Sequence, residues 1–269
     1  MRQAPFVALA FAVALIGCGK DSGVSPGPDS GTGGQSTPVS GHITTSTSWS
    51  GTIDVTGAVT IDPGVTVTVM PGTKIEASAG IAIAGTLDIE GTSASRVTVE
   101  PANGGSSWSG FAVKSQGMLI THYAVGTGGA IDVSQGATAT LIDSQFSHMN
   151  GDLLVMGGGT IDVEYSWIGV EEGMTDTTHC DIHVSGATSI KVTHSNLSTA
   201  AYGIMFYAGQ GADFTYDNWF GSTFDVSTSP GVTGNFDFDW FEKNDPPSGA
   251  GITAMNLASA RLTDAGPRP

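Results

Sequence analysis

Acidic and imidazole side chains gather in residues 170–180, which read Val-Glu-Glu-Gly-Met-Thr-Asp-Thr-Thr-His-Cys. An oxygen-rich set of this kind favours Ca²⁺ over Zn²⁺. The spacing of His179 and His183 suits two zinc ligands on a helix, but the segment reads as a loop then a strand, and no His-Glu-x-x-His is present. The candidate loop site for a cation or for catalysis comprises Glu171, Glu172, Asp176, His179 and Lys191. We assign no catalytic residue, metal ligand or cofactor, and predict Ca²⁺ as the ion if the loop takes one.

Aromatic side chains recur in two neighbouring rows of the later sequence. One row holds Asp143, Tyr165, His194, Tyr216 and Phe238, and the other holds Gln145, Trp167, Asn196, Asn218 and Trp240. If such rings point outward they could stack on sugar rings, and if they point inward they belong to the core. Strand alternation favours the core for the first row. The candidate carbohydrate-stacking residues are Tyr165, Trp167, Tyr216 and Trp240.

Two further rows are predicted from the same spacing. Thr140, Asp162, Lys191 and Asp213 should form an outward row, which we interpret as an exposed charge ladder of little energetic value. A neighbouring row is predicted to hold Asp132, Leu154, His183 and Met205. That second row has no paired carboxylates, which disfavours general acid–base chemistry there.

These rows depend on an internal repeat. Six-residue segments that begin and end with apolar residues carry Ser or Asp at their fourth position, at 144, 166, 195, 217 and 239, so the steps are 22, 29, 22 and 22. Eleven residues before four of these positions lie Val133, Val155, Val184 and Phe206. The seven extra residues of the long step fall in the 170–180 segment, which we expect to protrude as a loop.

The repeat predicts stacked coils of short strands. Each repeat alternates apolar and polar residues and cannot bury its apolar side alone, whereas pairing each strand with its equivalent in the next coil builds a continuous core. The predicted fold is all-β, a right-handed single-stranded parallel β-helix of about 22 residues per coil. We expect it to cover residues 41–242, with 243–269 as a C-terminal cap or tail.

The earlier coils carry a family resemblance. Residues 49–57 read Trp-Ser-Gly-Thr-Ile-Asp-Val-Thr-Gly, residues 63–73 contain Pro-Gly-Val-Thr and Pro-Gly-Thr, residues 85–92 run from Gly-Thr-Leu to Gly-Thr, and Trp108-Ser109-Gly110-Phe111 follows. This pattern resembles the right-handed β-helix repeats of bacterial surface proteins in the pectin-lyase-like superfamily. The match covers about residues 41–115, and the repeats extend it to about 241. It implies the fold and leaves the function open, because that superfamily holds enzymes as well as proteins with no known chemistry.

The catalytic signatures that the resemblance suggests are missing. Lyases of this fold use Ca²⁺ with an Arg or Lys base, but Lys191 is the single Lys or Arg between residues 120 and 241. The related hydrolases use neighbouring aspartates and Gly-His-Gly, and no Gly-His-Gly occurs. We therefore lean towards a non-catalytic structural or polysaccharide/partner-binding module. The alternative is a carbohydrate-active enzyme, a polysaccharide lyase or glycoside hydrolase.

The start of the chain predicts export and lipid attachment. Arg2 precedes an apolar run over residues 6–16, which has the length of a signal-peptide core and is too short to span a membrane. Leu15-Ile16-Gly17-Cys18 resembles the lipobox of bacterial lipoproteins, which implies cleavage between Gly17 and Cys18 and acylation of Cys18. Residues 1–17 are thus the predicted signal peptide, and 18–40, rich in Gly, Ser and Pro, a flexible tether.

Composition limits the partners. The formal net charge is −16, which disfavours binding to nucleic acid and to anionic lipid head groups. The expected partners are the membrane, through the lipid, and a polysaccharide or another envelope protein. We expect a cell-envelope location, and Gly19 after the lipobox favours the outer over the inner membrane. Cys180 has no predicted disulfide partner and is expected to be a small buried residue.

Overall fold

The computed structural model describes residues 36–171, 173–186 and 189–269. Strand follows strand, because residues such as Leu87 and Ile89 alternate with Thr and Asp and leave one apolar side to bury. Every pairing between named strands is parallel and joins equivalent positions of successive coils. The fold is a parallel β-solenoid with about 22 residues per turn, which confirms the predicted fold class.

Three ladders of strands run along the solenoid. The first ladder contains β1 (Thr37–Ile43), β3 (Thr52–Ile61), β5 (Lys74–Ala77), β8 (Val97–Pro101), β11 (Ala124–Thr127), β14 (Gln145–Ser147), β17 (Trp167–Gly169), β20 (Asn196–Ser198), β23 (Asn218–Phe220) and β26 (Trp240–Phe241). The second ladder begins with the later residues of β1 and β3 and continues through β6 (Ile81–Ile83), β9 (Phe111–Val113), β12 (Ile131–Val133), β15 (Asp152–Met156), β18 (Cys180–Val184), β21 (Tyr202–Phe206) and β24 (Phe224–Thr228).

The third ladder forms a separate ten-stranded sheet. It contains β2 (Thr47–Trp49), β4 (Thr66–Val69), β7 (Thr86–Glu90), β10 (Met118–His122), β13 (Thr138–Ile142), β16 (Thr160–Glu164), β19 (Ser189–Thr193), β22 (Ala212–Thr215), β25 (Gly234–Asn235) and β27 (Ile252–Thr253). A short 3₁₀ turn lies at Ala102–Gly104. Within the described ranges, no helix has the length and apolar character needed to cross a membrane.

The strands extend beyond the predicted boundaries. β1 begins at Thr37, inside the segment predicted as tether, because Thr37, Pro38 and Val39 pair with the first full coil. At the other end, β27 still pairs with β25, within the segment predicted as cap or tail. Composition alone could not reveal either pairing, since the strand partners lie a full coil away.

The predicted rows are nearly all correct. Thr140, Asp162, Lys191 and Asp213 pair in register along the third ladder. The row predicted through Leu154 is wrong by one residue, because Val155 pairs with Asp132 and His183. The cause is a break in alternation at the start of β15, where two successive leucines are both buried.

The core changes character along the solenoid. Early coils bury aliphatic side chains such as Ile53, Val67 and Leu87. Later coils bury aromatic rings, and the Phe214 ring stacks on the Phe236 ring at 4.8 Å between centroids. Close contact between coils also requires glycine at one turn, since a Cβ on Gly85 would lie 2.3 Å from the Val65 carbonyl oxygen.

Candidate functional site

The fourth positions of the repeat form an internal polar ladder. The Ser166 hydroxyl accepts the backbone N–H of Ser144 at 3.1 Å, and the Ser195 hydroxyl accepts that of Ser166 at 3.1 Å. The carboxylates of Asp217 and Asp239 accept in the same way from the preceding coil at 2.7 and 2.9 Å. All five side chains are buried. The signature that revealed the repeat is therefore structural, because it satisfies backbone donors at each bend.

Burial raises the pKa of Asp217 and of Asp239 well above the ordinary carboxyl value, and each carboxyl is also close to other acidic groups. Asp239 accepts a further hydrogen bond from the Trp219 ring N–H at 2.9 Å. One oxygen of Asp217 makes no hydrogen bond within the described residues. These carboxyls lie inside the coils, and a substrate outside would not reach them.

The residues that directly precede the later fourth positions form an aromatic row. Tyr165, His194, Tyr216 and Phe238 all have a positive φ, between 48° and 68°, at the bend between the third and first ladders. This left-handed residue breaks the alternation, so the side chains point outward, and the prediction that the row belongs to the core is wrong. Tyr216 is 39% exposed and Phe238 37%. We call these four residues the outer aromatic row.

The rings of the outer aromatic row stack on one another. Neighbouring centroids are 4.9 Å apart throughout, with interplanar angles of 25°, 11° and 4°. Mutual stacking of this kind offsets part of the cost of the left-handed backbone. It also uses the ring faces, which a sugar would need, and leaves mainly ring edges along the row. The row therefore fits a stabilising role better than sugar stacking.

In the coil before Tyr165, Asp143 occupies the position that the outer aromatic row holds in later coils. Arg268, near the C-terminus, donates to Asp143 at 3.0 Å from its backbone N–H and at 2.8 and 2.7 Å from its guanidinium. Its Cζ also lies 4.1 Å from the centre of the Tyr165 ring. Burial raises the pKa of Asp143, but the hydrogen bonds and charge of Arg268 outweigh it, and the pKa lies below its ordinary value.

Arg268 ends a segment that lies across five coils. This C-terminal strap, residues 258–268, runs back from the last coil over the first ladder. Its first contact is the Ala258 N–H donating to the Asp239 carbonyl at 2.9 Å. The Leu262 N–H donates to the Asn218 side chain at 2.8 Å, and that side chain donates to the Leu262 carbonyl at 2.9 Å. The sequence predicts a C-terminal cap or tail over residues 243–269 and gives no sign of this return path.

The strap continues over the row that holds Trp167. The Asn196 side chain donates to the Ala265 carbonyl at 3.2 Å, and the Gly266 N–H donates to the His194 carbonyl at 2.7 Å. A Cβ on Gly266 would lie 2.4 Å from Asn196 Nδ2, so glycine is required there. The strap thus binds by its peptide groups to the side chains of Asn196 and Asn218.

An arginine of the strap also covers aromatic rings. The Arg261 Cζ lies 4.0 Å from the centre of the Phe220 ring and 5.6 Å from that of Trp167. The Trp167 ring N–H donates to the Ser198 hydroxyl at 2.7 Å. Trp240 contacts Phe220 at 6.3 Å between centroids. Of the four candidate stacking residues, Trp167 is thus partly covered by the chain itself.

The structure does not bring the candidate loop site together. The Asp176 carboxylate accepts hydrogen bonds from the backbone N–H groups of Thr177, Thr178 and His148. It therefore fixes the loop to the preceding coil. Lys191 lies on the third ladder, where it contacts Glu164 and lies 3.5 Å from Asp162. Its hydrogen bond with Glu164 raises the pKa of Lys191.

The other acidic residues of the loop also lie apart from Lys191. Glu171 borders a depression of about 280 Å³ beside the strap, together with Arg96 and Gln145. Glu172 lies outside the described residues, as do the predicted signal peptide, Gly17 and Cys18. Among the described residues, the candidates therefore do not form one cation-binding group.

A different cluster joins the first residue of β15 to His179 and to two residues of β18 in the next coil. Asp152 Oδ1 lies 2.8 Å from His179 Nδ1, and Asp152 Oδ2 lies 2.8 Å from His183 Nδ1. The Cys180 Sγ lies 3.3 Å from His179 Nδ1, and its side chain is fully buried. We call these four residues the His-Cys-Asp cluster. Asp152 pairs with Cys180 of the next coil and is not among the site residues predicted from sequence.

Electrostatics within this cluster follow from burial and contact. Burial, followed by the Asp152 carboxylate, raises the pKa of the Cys180 thiol far above its ordinary value. Burial also raises the pKa of Asp152, but hydrogen bonds from His179 and Cys180 together with the imidazole charges lower it overall. Cys180 was expected to be merely a small buried residue, and its contacts give it polar neighbours as well.

Comparison with known proteins assigns no family to the chain, so its class rests on its architecture. The chain matches no protein-family model, no curated protein and no solved structure. The fold and the three ladders define it as a parallel β-solenoid protein.

Proposed function

We propose that the protein is a lipid-anchored cell-envelope protein whose β-helix, of the pectin-lyase-like type, is a non-catalytic structural module. The lipobox at Cys18 and the polar segment after it support the anchor and the tether. The observation that carries the structural role is the C-terminal strap, which ties five coils together and covers the face that holds Trp167, Asn196 and Asn218. A face closed in this way favours support or partner contact over turnover of a polymer.

The anchor is tested by acyl labelling in the bacterium that makes the protein. Cells are grown with an alkyne fatty acid, and label on the protein is measured after membrane fractionation. We expect label and membrane association in the unaltered protein and in Cys180→Ala, and loss of both in Cys18→Ala. Label that persists in Cys18→Ala would contradict the anchor. The fractionation also compares the outer membrane, which we favour, with the inner.

The non-catalytic role is tested with a panel of polysaccharides that includes uronic-acid polymers. We expect neither new reducing ends nor unsaturated products, with or without Ca²⁺. Turnover that Glu171→Gln or Lys191→Ala abolishes would contradict the proposal and support the enzyme alternative. The acidic surface also favours neutral over acidic polymers as partners.

Carbohydrate binding is kept as a second candidate because Tyr216 and Phe238 remain more than a third exposed at one end of the outer aromatic row. A glycan array compares the unaltered chain with Tyr216→Ala, and with Trp167→Ala and Trp240→Ala. Binding lost in these variants would support it. Absence of binding, or binding that every variant retains, would remove it.

A further inference from the structure

We infer that the His-Cys-Asp cluster is a zinc site, formed by Asp152, Cys180 and His183 with His179 as the fourth donor. One donor atom from each of the first three residues lies within 4.8 Å of the others. His179 Nδ1 lies 2.8 Å from the Asp152 carboxylate and 3.3 Å from the Cys180 sulfur. Three donors thus lie close together and His179 lies beside two of them, so a turn of the half-exposed His179 side chain completes the four-coordinate geometry that zinc adopts in proteins.

The separations suit a tetrahedral ion. Zinc bonds of about 2.0–2.3 Å at tetrahedral angles place neighbouring donor atoms roughly 3.3–3.7 Å apart. The 2.8 and 3.3 Å separations of this cluster are slightly shorter, so a small opening of the His179 and His183 side chains admits the ion. His179 is half exposed, which leaves it free to move.

One donor lacks an alternative partner. His183 Nδ1 is buried and makes no hydrogen bond within the described residues, although Asp152 Oδ2 lies 2.8 Å away. The angle at this short contact therefore does not suit a hydrogen bond. A buried nitrogen without a hydrogen bond costs free energy, and a metal ion would satisfy it.

The mixture of donors selects the metal. A thiolate and two imidazoles suit zinc, whereas Ca²⁺ requires six to eight oxygen ligands and would find one carboxylate here. The cation would also balance the charge of a buried thiolate beside a carboxylate. This differs from the Ca²⁺ site considered from sequence, which had to rely on Glu171, Glu172 and Asp176.

Aromatic rings of the next coil support the two imidazoles. The His179 ring packs edge-on against Tyr202 at 5.4 Å, and the His183 ring against Tyr207 at 5.5 Å. Such contacts orient the ligands before the ion arrives. The β-strand pairing that aligns Asp152, Cys180 and Tyr202 fixes the backbone beneath them.

The test is zinc titration of the full chain, stripped with chelator and kept reduced, by calorimetry. We expect one tight site, an affinity loss of about 100-fold or more in Cys180→Ser and in His183→Gln, and no competition from Ca²⁺. The matched control is His42→Gln, which breaks another histidine–aspartate contact, 2.7 Å long, on the surface. Absence of zinc binding, or equal affinity in all four proteins, would overturn the site.

Cobalt provides a spectroscopic readout that begins with the unaltered chain. Co²⁺ bound to the unaltered chain should give intense tetrahedral d–d bands and a thiolate-to-cobalt charge-transfer band. Asp152→Asn, which keeps the side-chain shape, should weaken both, and circular dichroism checks its fold. An octahedral spectrum without the charge-transfer band would show that the ion does not bind at Cys180, and would overturn the proposal.

Discussion

The early and late coils share one fold but bury different groups. Between Thr37 and Val113 the described buried side chains are almost all apolar, with Thr73 as the polar exception. From residue 143 onward the coils bury serines, asparagines and the carboxyls of Asp181, Asp217, Asp225 and Asp239. Regular stacking does not require such groups, and burying them is costly. The difference teaches that the early coils are held mainly by apolar burial, whereas the late coils add buried polar groups that satisfy backbone N–H donors at their bends.

The largest expected effect comes from the aromatic core of the late coils. Trp219 is fully buried, stacks on Phe241 at 5.8 Å and donates to Asp239. Trp219→Ala should lower the free energy of unfolding by about 3–5 kcal/mol, because it leaves a cavity and removes the donor to one oxygen of Asp239. Leu87→Ala in an early coil should cost about 2–3 kcal/mol. Urea denaturation measures both, and an equal or smaller loss for Trp219→Ala would contradict the comparison.

The strap should open when its closest contact is blocked. Gly266→Ala places a Cβ against Asn196 and strains a φ of +105°, so it should cost about 1–3 kcal/mol of strap attachment. Tryptic cleavage after Arg261 measures the opening and should become faster. Gly249→Ala is the control, because its φ is also positive but nothing lies within 4 Å. Equal cleavage rates in both variants would argue against the packed strap.

Acid should release the end of the strap. The pKa of Asp143 is lower in the folded protein than its ordinary value, so its contribution is present above about pH 4 and is lost as pH falls through the folded pKa. Protection of the Arg268 N–H from hydrogen exchange, corrected for the intrinsic pH dependence of exchange, should fall across this range. Asp143→Asn should lower this protection at neutral pH and remove its pH dependence. A pH profile unchanged by Asp143→Asn would contradict the Arg268 contact.

The internal carboxyls should respond in the opposite sense. The folded pKa of Asp217 is raised by burial, so its contribution is full below the ordinary carboxyl pKa and is lost as pH rises through the folded value. Asp217→Asn keeps an acceptor for the Ser195 N–H and should therefore gain stability at neutral pH relative to the unaltered chain. Denaturation midpoints at two pH values measure the gain. A loss at neutral pH that persists in acid would contradict the assignment.

The smallest effect is expected in the outer aromatic row. Tyr216→Ala should cost about 0.5–1.5 kcal/mol, because it removes one ring from a stack whose members remain partly exposed. His122→Ala, in an early coil and on another ladder, serves as a control with no ring partner to lose from this row. A loss for Tyr216→Ala as large as that for Trp219→Ala would place the row in the core after all.

Periodicity made much of this predictable. Ser or Asp at 144, 166, 195, 217 and 239 revealed the coil length, and alternation placed Lys191 between two carboxylates. Alternation failed where the backbone leaves the strand, at the left-handed bend of Tyr165 and at the paired leucines before Val155.

Contacts that do not recur could not be predicted. The strap has no repeat, and its contact between Arg268 and Asp143 spans 125 residues. Asp152 reaches Cys180 through the coil that contains the 170–180 insertion, so the 22-residue spacing gives no indication that they meet.

The central claim is that the strap covers the face of the solenoid that holds Trp167, Asn196 and Asn218. Hydrogen–deuterium exchange of the strap tests this claim most directly. The backbone N–H groups of Leu262, Gly266 and Arg268 all donate to the β-helix. They should exchange slowly, and Asn218→Ala should speed the exchange at Leu262 first. Exchange of all three at the rate of an unstructured peptide would contradict the account.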